Sequence, residues 1–173
     1  NCLPTQNIFL DQSCNYILPN FIDSIISSDN CDTSLLISQI PIPGSVLSAD
    51  TLIVISVTDD AGNNSICKFR VWVFDTISPQ INCPGSKVLD SDSLQCGAIY
   101  SYIAPIGTDN CVSTTSLISG LPGGSLFPSG LTNNIYKVTD SAGNSATCNF
   151  YVLVNDIEFP EIICPNDTVG SYD

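Results

Sequence analysis

The strings VTDDAGNNSICKF at 57–69 and VTDSAGNSATCNF at 138–150 are one pattern written twice, 81 positions apart. A fixed internal period settles architecture before any local reading does. The cysteines obey it. They fall at 2, 14, 31 and 67, then at 83, 96, 111 and 148, and a third set opens at 164. Asp29-Asn30-Cys31 returns as Asp109-Asn110-Cys111, and Pro43-Gly44-Ser45 as Gly123-Gly124-Ser125. Pro79–Pro84 returns as Pro160–Pro165. The chain therefore reads as two tandem modules, 1–75 and 76–156, with 157–173 a linker and the first strand of a third.

Within a module the apolar pattern has period two. Cys67, Phe69, Val71 and Val73 alternate with Lys68, Arg70 and Trp72, as in a half-buried antiparallel strand. Cys148, Phe150, Val152 and Val154 repeat the buried face. The β-branched run Leu52–Val57 and its copy Asn134–Val138 supply the preceding strand. Asp-x-Ala-Gly-Asn joins the two as a hairpin. Gly62 and Gly143 are free to take positive φ, Asn63 and Asn144 tolerate it, and Asp59 and Asp140 can accept turn amides. Short strands at intervals of about ten residues with turn signals between them predict a small β-sandwich.

Composition removes several functions. Seventeen acids face four bases, and there is no histidine. A chain of net charge −13 lacks the basic face that binding a nucleic-acid backbone or an anionic bilayer requires. No stretch approaches the ~20 apolar residues of a membrane span. The chain lacks methionine altogether, so it reads as a processed or excised piece of something longer. Without histidine there is no Ser-His or Cys-His pair. The paired acids Asp59-Asp60 and Asp90 with Asp92 sit in turns open to water, with no apolar pocket to set them up for acid–base work. No catalysis is expected. Nine cysteines never come as C-x₂-C, which disfavours zinc and iron–sulfur. Disulfides, and an oxidising compartment, are the expectation.

The stretches DNC, GSLFPSG, VTDSAGNSATCNF, VND and PEIICP resemble the hyalin repeat, or HYR, domain, most closely over 76–156. Module one differs in having Ser45–Asp50 where module two has Phe127–Gly130. The resemblance implies an immunoglobulin-like fold, an extracellular adhesive role and no catalytic activity. The cysteine-rich form is similar to tandem HYR arrays in very large surface proteins of Bacteroidota, including gliding-motility adhesins.

Assigning each cysteine to one end of the sandwich favours Cys31–Cys67 and Cys111–Cys148 within modules. Cys14–Cys83 and Cys96–Cys164 would then join neighbouring modules, leaving Cys2 for a preceding one. Bridges need Cα atoms within about 7 Å. A rival scheme pairs Cys2–Cys14 and Cys83–Cys96 and leaves Cys164 over. The hyalin-type resemblance implies a third option, Cys83 with Cys148. Sequence alone does not choose between them.

Asp75 and Asp156 end the last strand of each module and are candidate calcium ligands at the linker, since calcium takes six to eight oxygens; strand-ending acids before a proline linker are the alternative. Ser24, Thr51, Thr76, Ser93, Ser141 and Thr168 each follow an aspartate and precede an apolar residue, a pattern resembling the O-glycosylation acceptor of Bacteroidota, though Asp-Ser and Asp-Thr also form turns. Asn63 and Asn166 begin N-glycosylation sequons, which matter only in a eukaryotic secretory host. Trp72, on an outward face, could stack on a sugar or pack on a neighbour.

The expected fold is all-β: tandem immunoglobulin-like sandwiches in an elongated, disulfide-bonded array. The expected function is a non-catalytic stalk segment of an extracellular adhesin. An accessory spacer or carbohydrate-binding region of a secreted polysaccharide-active enzyme is the alternative. Expected partners are neighbouring modules of the chain, then surface glycans or other cell-surface proteins.

Overall fold

The computed structural model describes residues 2–163; Cys164 and Thr168 lie outside them. The first repeat forms β1 (Gln6–Phe9), β2 (Tyr16–Ile17), β3 (Leu36–Ile40), β4 (Val46–Leu47), β5 (Thr51–Thr58) and β6 (Asn64–Phe74). A short 3-10 turn, Ile22–Ser24, follows β2. The second repeat forms β7 (Lys87–Asp90), β8 (Gly97–Tyr100), β9 (Ser113–Ser119), β10 (Ser125–Pro128), β11 (Gly130–Asp140) and β12 (Ser145–Asn155). Among the described residues no helix is long and apolar enough to cross a membrane.

The two repeats have the same topology. One has a four-stranded sheet β1-β6-β5-β3 and a pair β2-β4; the other has β7-β12-β11-β9 and β10-β8. In each, the first strand pairs parallel with the last, β1 with β6 and β7 with β12. A four-stranded sheet edged this way, with a two-stranded partner, is an immunoglobulin-like arrangement. The Ser45–Asp50 difference leaves β4 only two residues long, against four in β10.

By contacts the chain forms two compact units. The first gathers Asn1–Ile81 with Ile106–Ser116 and Lys137–Thr147. Its core is Ile8, Leu18, Leu47, Ile53, Ile55, Phe69 and Val71. Phe69 and Val71 are the inward positions of β6 read off the period-two pattern; Ile53 and Ile55 come from the β-branched run of β5, and Leu47 from the small sheet. Each such side chain contributes about 1.5–3 kcal/mol on burial. Gln39 is buried as well. Its Oε1 accepts the Phe21 amide at 2.8 Å and its Nε2 donates to the Pro19 carbonyl at 3.1 Å, which fastens the 3-10 segment to β3.

The second unit takes Asn82–Pro105, Leu117–Tyr136 and the chain from Cys148 on. Ala98, Phe127, Tyr136, Phe150, Val152 and Val154 are buried there. Tyr102 packs edge-on against Phe150 with centroids 4.9 Å apart. Its hydroxyl donates to the Leu121 carbonyl at 2.6 Å and lies 2.9 Å from the Tyr136 hydroxyl. Burial, and then the Tyr136 hydroxyl, push its pKa up. Asn134 is fully buried and accepts the Leu121 amide at 2.6 Å. Gly120, at φ +94, passes so close that a Cβ there would sit 1.8 Å from the Asn134 Oδ1.

Three disulfides close the described chain: Cys2–Cys67, Cys14–Cys111 and Cys83–Cys148. Of the expected pairings, Cys31–Cys67, Cys111–Cys148 and Cys14–Cys83 are all replaced, as are the rivals Cys2–Cys14 and Cys83–Cys96. The physical reason is the parallel ladder. Gln6 pairs with Val71, and four residues earlier on both strands stand Cys2 and Cys67. Lys87 pairs with Val152, and four residues earlier stand Cys83 and Cys148. An even offset keeps both cysteines on one face, and their Cα atoms lie 5.4 and 5.5 Å apart. The pairing implied by the hyalin-type resemblance, Cys83 with Cys148, is the one formed. Among the described residues Cys31 and Cys96 have no disulfide partner.

The loops closed by Cys2–Cys67 and Cys83–Cys148 each span 65 residues. Restricting a chain that long in the unfolded state is worth about 4 kcal/mol. Replacing both Cys83 and Cys148 by Ser is expected to lower unfolding free energy by that order in urea titration. The exposed Cys31→Ser should change it by less than about 0.5 kcal/mol. Equal effects of the two changes would show that Cys83–Cys148 does not brace the fold.

Candidate functional site

The two hairpin turns are built alike. In the first, the Asp59 amide donates to the Asn63 carbonyl at 3.1 Å and Gly62 takes φ +88. The Asp59 carboxylate accepts the Asn63 backbone amide and side-chain amide, both at 2.7 Å. In the second, Asp140 accepts the same two Asn144 groups, each at 2.8 Å, and Gly143 takes φ +95. The glycines do what the sequence asks of them. The asparagines do not take positive φ; they lock the turn through their side chains.

The Asp-Asn-Cys loops are likewise alike. Asp29 accepts the Cys31 amide at 2.9 Å, and Asp109 the Cys111 amide at 3.1 Å. The Cys31 amide, then that of Asp32, holds the Asp29 carboxyl below its usual pKa. Both loops are Asx turns, a local geometry that Asp favours.

What differs is what the second pair of loops holds. Within the first compact unit Cys111 is bonded to Cys14, 97 residues earlier. The Asn110 side-chain amide donates to the Asp11 carbonyl at 3.0 Å. The Asn144 amide donates to the Asp75 carbonyl at 3.1 Å and the Ile77 carbonyl at 3.4 Å. Thus the turn of the first repeat and the strand-ending Asp75 are both gripped by the second repeat's Asp-Asn-Cys loop and hairpin turn. This constellation is the candidate functional site. Sequence reading took Asp109 and Asn110 only as landmarks of the repeat and Asn144 only as a turn residue; their return with the repeat is the one signal that marks them.

The site is acidic. One carboxylate oxygen of Asp75, one of Asp109 and the Cys111 sulfur lie within 4.8 Å of one another. The sulfur is committed to its disulfide, so the donors left are oxygens. Asp75 Oδ2, Asp109 Oδ1 and Asn110 Oδ1 are buried without a hydrogen-bond partner. Hard oxygens of this kind suit calcium rather than a thiophilic metal, with water completing its six to eight positions. Asp156, the other expected ligand, is exposed and accepts the Glu158 amide at 3.2 Å. It joins no such cluster among the described residues.

The other candidates are spread over the surface. Ser24, Thr76, Ser93 and Ser141 are exposed. Thr51 is half-buried, and its hydroxyl donates to the Ala49 carbonyl at 2.9 Å. Trp72 is 39 % exposed, with the Arg70 guanidinium 5.5 Å from the ring centroid. One face is therefore already held in a cation–π contact.

Fold and site together define a disulfide-locked, immunoglobulin-like all-β module whose polar chemistry serves to join chain segments. The family model of the HYR domain matches residues 74–154. Hyalin of Strongylocentrotus purpuratus is 29 % identical over 154 residues, covering 85 % of this chain and 13 % of that protein. The sushi, von Willebrand factor type A, EGF and pentraxin domain-containing protein 1 of Rattus norvegicus is 35 % identical over 101 residues, 57 % of this chain and 3 % of that protein. The sushi repeat-containing protein SRPX of Homo sapiens is 35 % identical over 82 residues, 46 % of this chain and 18 % of that protein. The chain thus spans a small part of each of these relatives. Among solved structures, human protocadherin-24 EC1-2 aligns over 88 % of this chain and 95 % of that one, at TM-score 0.34 and 14 % identity. That overlap is too loose to carry an argument.

Two carboxylates this close repel by an amount on the order of 1 kcal/mol at the high effective dielectric of a half-buried site. In chelator, Asp109→Asn is therefore expected to raise the melting temperature, because asparagine keeps the Cys111 amide bond and drops the charge. Millimolar calcium should raise melting of the parent chain and leave Asp109→Asn unmoved. Equal calcium effects on both would place the cation elsewhere.

Proposed function

We propose that the chain is a non-catalytic repeat segment of an extracellular adhesin, a stiff disulfide-braced stalk that displays adhesive regions away from the cell surface. Its modules are 1–75 and 76–156, with 157–173 opening a third. Their partners are first their own neighbours along the chain, and beyond them glycans or proteins of another surface. The observation that carries this reading is the Cys14–Cys111 bond, which ties the first repeat's turn to the second repeat's Asp-Asn-Cys loop. An isolated module needs no such bond. It crosses the repeat boundary, while tension along the chain runs through Cys2–Cys67 and Cys83–Cys148.

The supporting observations agree. Disulfides of this number persist in oxidising compartments. The HYR match and the relatives named hyalin and sushi-repeat proteins are of the kind found outside cells. The polar groups of the site are spent on carbonyls and turns, which is joining chemistry rather than catalysis. In gliding bacteria such a stalk would carry an adhesin along the surface; in other hosts it would serve as a spacer.

The bridges set how far the chain can be pulled. With Cys2–Cys67 and Cys83–Cys148 closed, the covalent path from Cys2 to Ile163 extends to about 110 Å; with all disulfides reduced it reaches about 550 Å. Single-molecule pulling between the chain ends should therefore show reductant adding roughly 440 Å of contour length. The same extension with and without reductant would remove the load-bearing reading.

A further inference from the structure

The cysteines without a described partner are the repeat equivalents of the two that are bonded to each other. Cys31 stands where Cys111 stands, in the same Asp-Asn-Cys turn. Cys96 follows Asp92 as Cys14 follows Asp11, in a turn one residue longer. Both turns close on themselves: the Asp11 carbonyl accepts the Cys14 amide at 3.1 Å, and the Asp92 carbonyl the Gln95 amide at 3.0 Å. Each contains a residue at positive φ, Cys14 at +58 and Leu94 at +59. Cys31 and Cys96 are both exposed.

The equivalence extends beyond sulfur. Asn110 donates to the Asp11 carbonyl, whereas its equivalent Asn30 makes no side-chain hydrogen bond among those described. Asn144 grips the Asp75 and Ile77 carbonyls, whereas the Asn63 side-chain amide reaches only Asp59. Asn30, Cys31, Asp59 and Asn63 line a concavity of about 500 Å³. In the second repeat the equivalent loops hold a strand-ending Asp75. The matching insert is also present: Asp156 is the equivalent of Asp75. Glu158 accepts the Leu94 amide at 2.6 Å, which ties that linker to the turn bearing Cys96.

We propose that the chain carries two complementary half-junctions. The face made by the Asp29–Cys31 loop and the Asp59–Asn63 turn receives the Cys96 turn and Asp156 linker of another module of this kind, sealed by a Cys31–Cys96 disulfide. A second copy of this chain is the partner the chemistry fits, joined head to tail, because each copy carries one donor and one receiver. The inference rests on the tandem-stalk reading, but its test is separate from the pulling test of the internal bridges.

The chemistry is thiol–disulfide exchange. One thiolate attacks a small-molecule disulfide such as oxidised glutathione; a mixed disulfide forms and one glutathione thiolate leaves. The second copy's thiolate then attacks the protein sulfur and displaces the other glutathione. Two protein thiols are oxidised and one glutathione disulfide is reduced to two thiols; the protons given up by the protein thiols are taken up by the departing glutathione thiolates. Charge opposes the approach. Asp29, Asp32, Asp59 and Asp60 rim the receiving face, and the incoming linker brings Asp156. Salt near physiological strength screens this repulsion.

The test mixes Cys31→Ser, which keeps only Cys96 of the pair, with Cys96→Ser, which keeps only Cys31. Both are held in a glutathione redox buffer at physiological salt and resolved on non-reducing gels with peptide mapping of the dimer. The mixture is expected to give a dimer with a Cys31–Cys96 peptide, at least about tenfold above either variant alone. Adding Asn30→Ala to the Cys96→Ser chain should cut the yield roughly fivefold, the worth of one hydrogen bond, while Cys31 alkylates at an unchanged rate. Homodimers of the single variants in equal amount, a Cys96–Cys164 peptide within one chain, or a mixture that stays monomeric while both thiols react with maleimide would each overturn the proposal.

Discussion

The structure depends on a parallel pairing that immunoglobulin-like sandwiches use at one edge. The first strand of each repeat lies beside the last, β1 along β6 and β7 along β12. A parallel pair cannot be made by a local hairpin. It brings together residues some 65 positions apart, at a loop-closure cost that grows only slowly with length. The cysteine four residues before each paired strand position converts this non-local contact into a covalent one. Everything between, including the β2–β4 or β8–β10 pair, then folds inside a closed loop. The small cores of these modules make such a staple useful, since a domain of this size buries a modest share of its surface.

Much of this was written in the sequence. Alternation at Cys67–Val73 identifies the buried face of β6, with Phe69 and Val71 buried and Arg70 and Trp72 outside. The Asp-x-Ala-Gly-Asn turns have their glycines at positive φ and their aspartates on turn amides. The cysteine pairing was not legible by the same means. Sorting Cys83, Cys111 and Cys148 to one end of a sandwich leaves their pairing open, because two partners at the same end differ only in lateral strand order. That order comes from the parallel ladder, which leaves no local mark. The signal was arithmetic instead: Cys2 to Cys67 and Cys83 to Cys148 share one spacing, with Cys2 and Cys83 each four residues before the strand that pairs with the one bearing its partner.

The gripping role of Asn110 and Asn144 was hidden for a related reason. Asparagine beside aspartate and glycine is a turn former, and that role is fulfilled. The second amide proton set, aimed at Asp11, Asp75 and Ile77 carbonyls, costs the sequence nothing extra and so is invisible in composition. The half-buried acids Asp75 and Asp109 show the same economy: one follows a strand and the other shapes a loop, and together they give the site buried oxygens without partners. The net charge of −13 thus has a local expression where chain segments are joined.

The architecture stands on which cysteines are joined. Digestion of the unreduced chain followed by mass spectrometry of the linked peptides tests it most directly. Cys2–Cys67, Cys14–Cys111 and Cys83–Cys148 are the predicted links. Peptides joining Cys31 to Cys67 and Cys111 to Cys148 would contradict it.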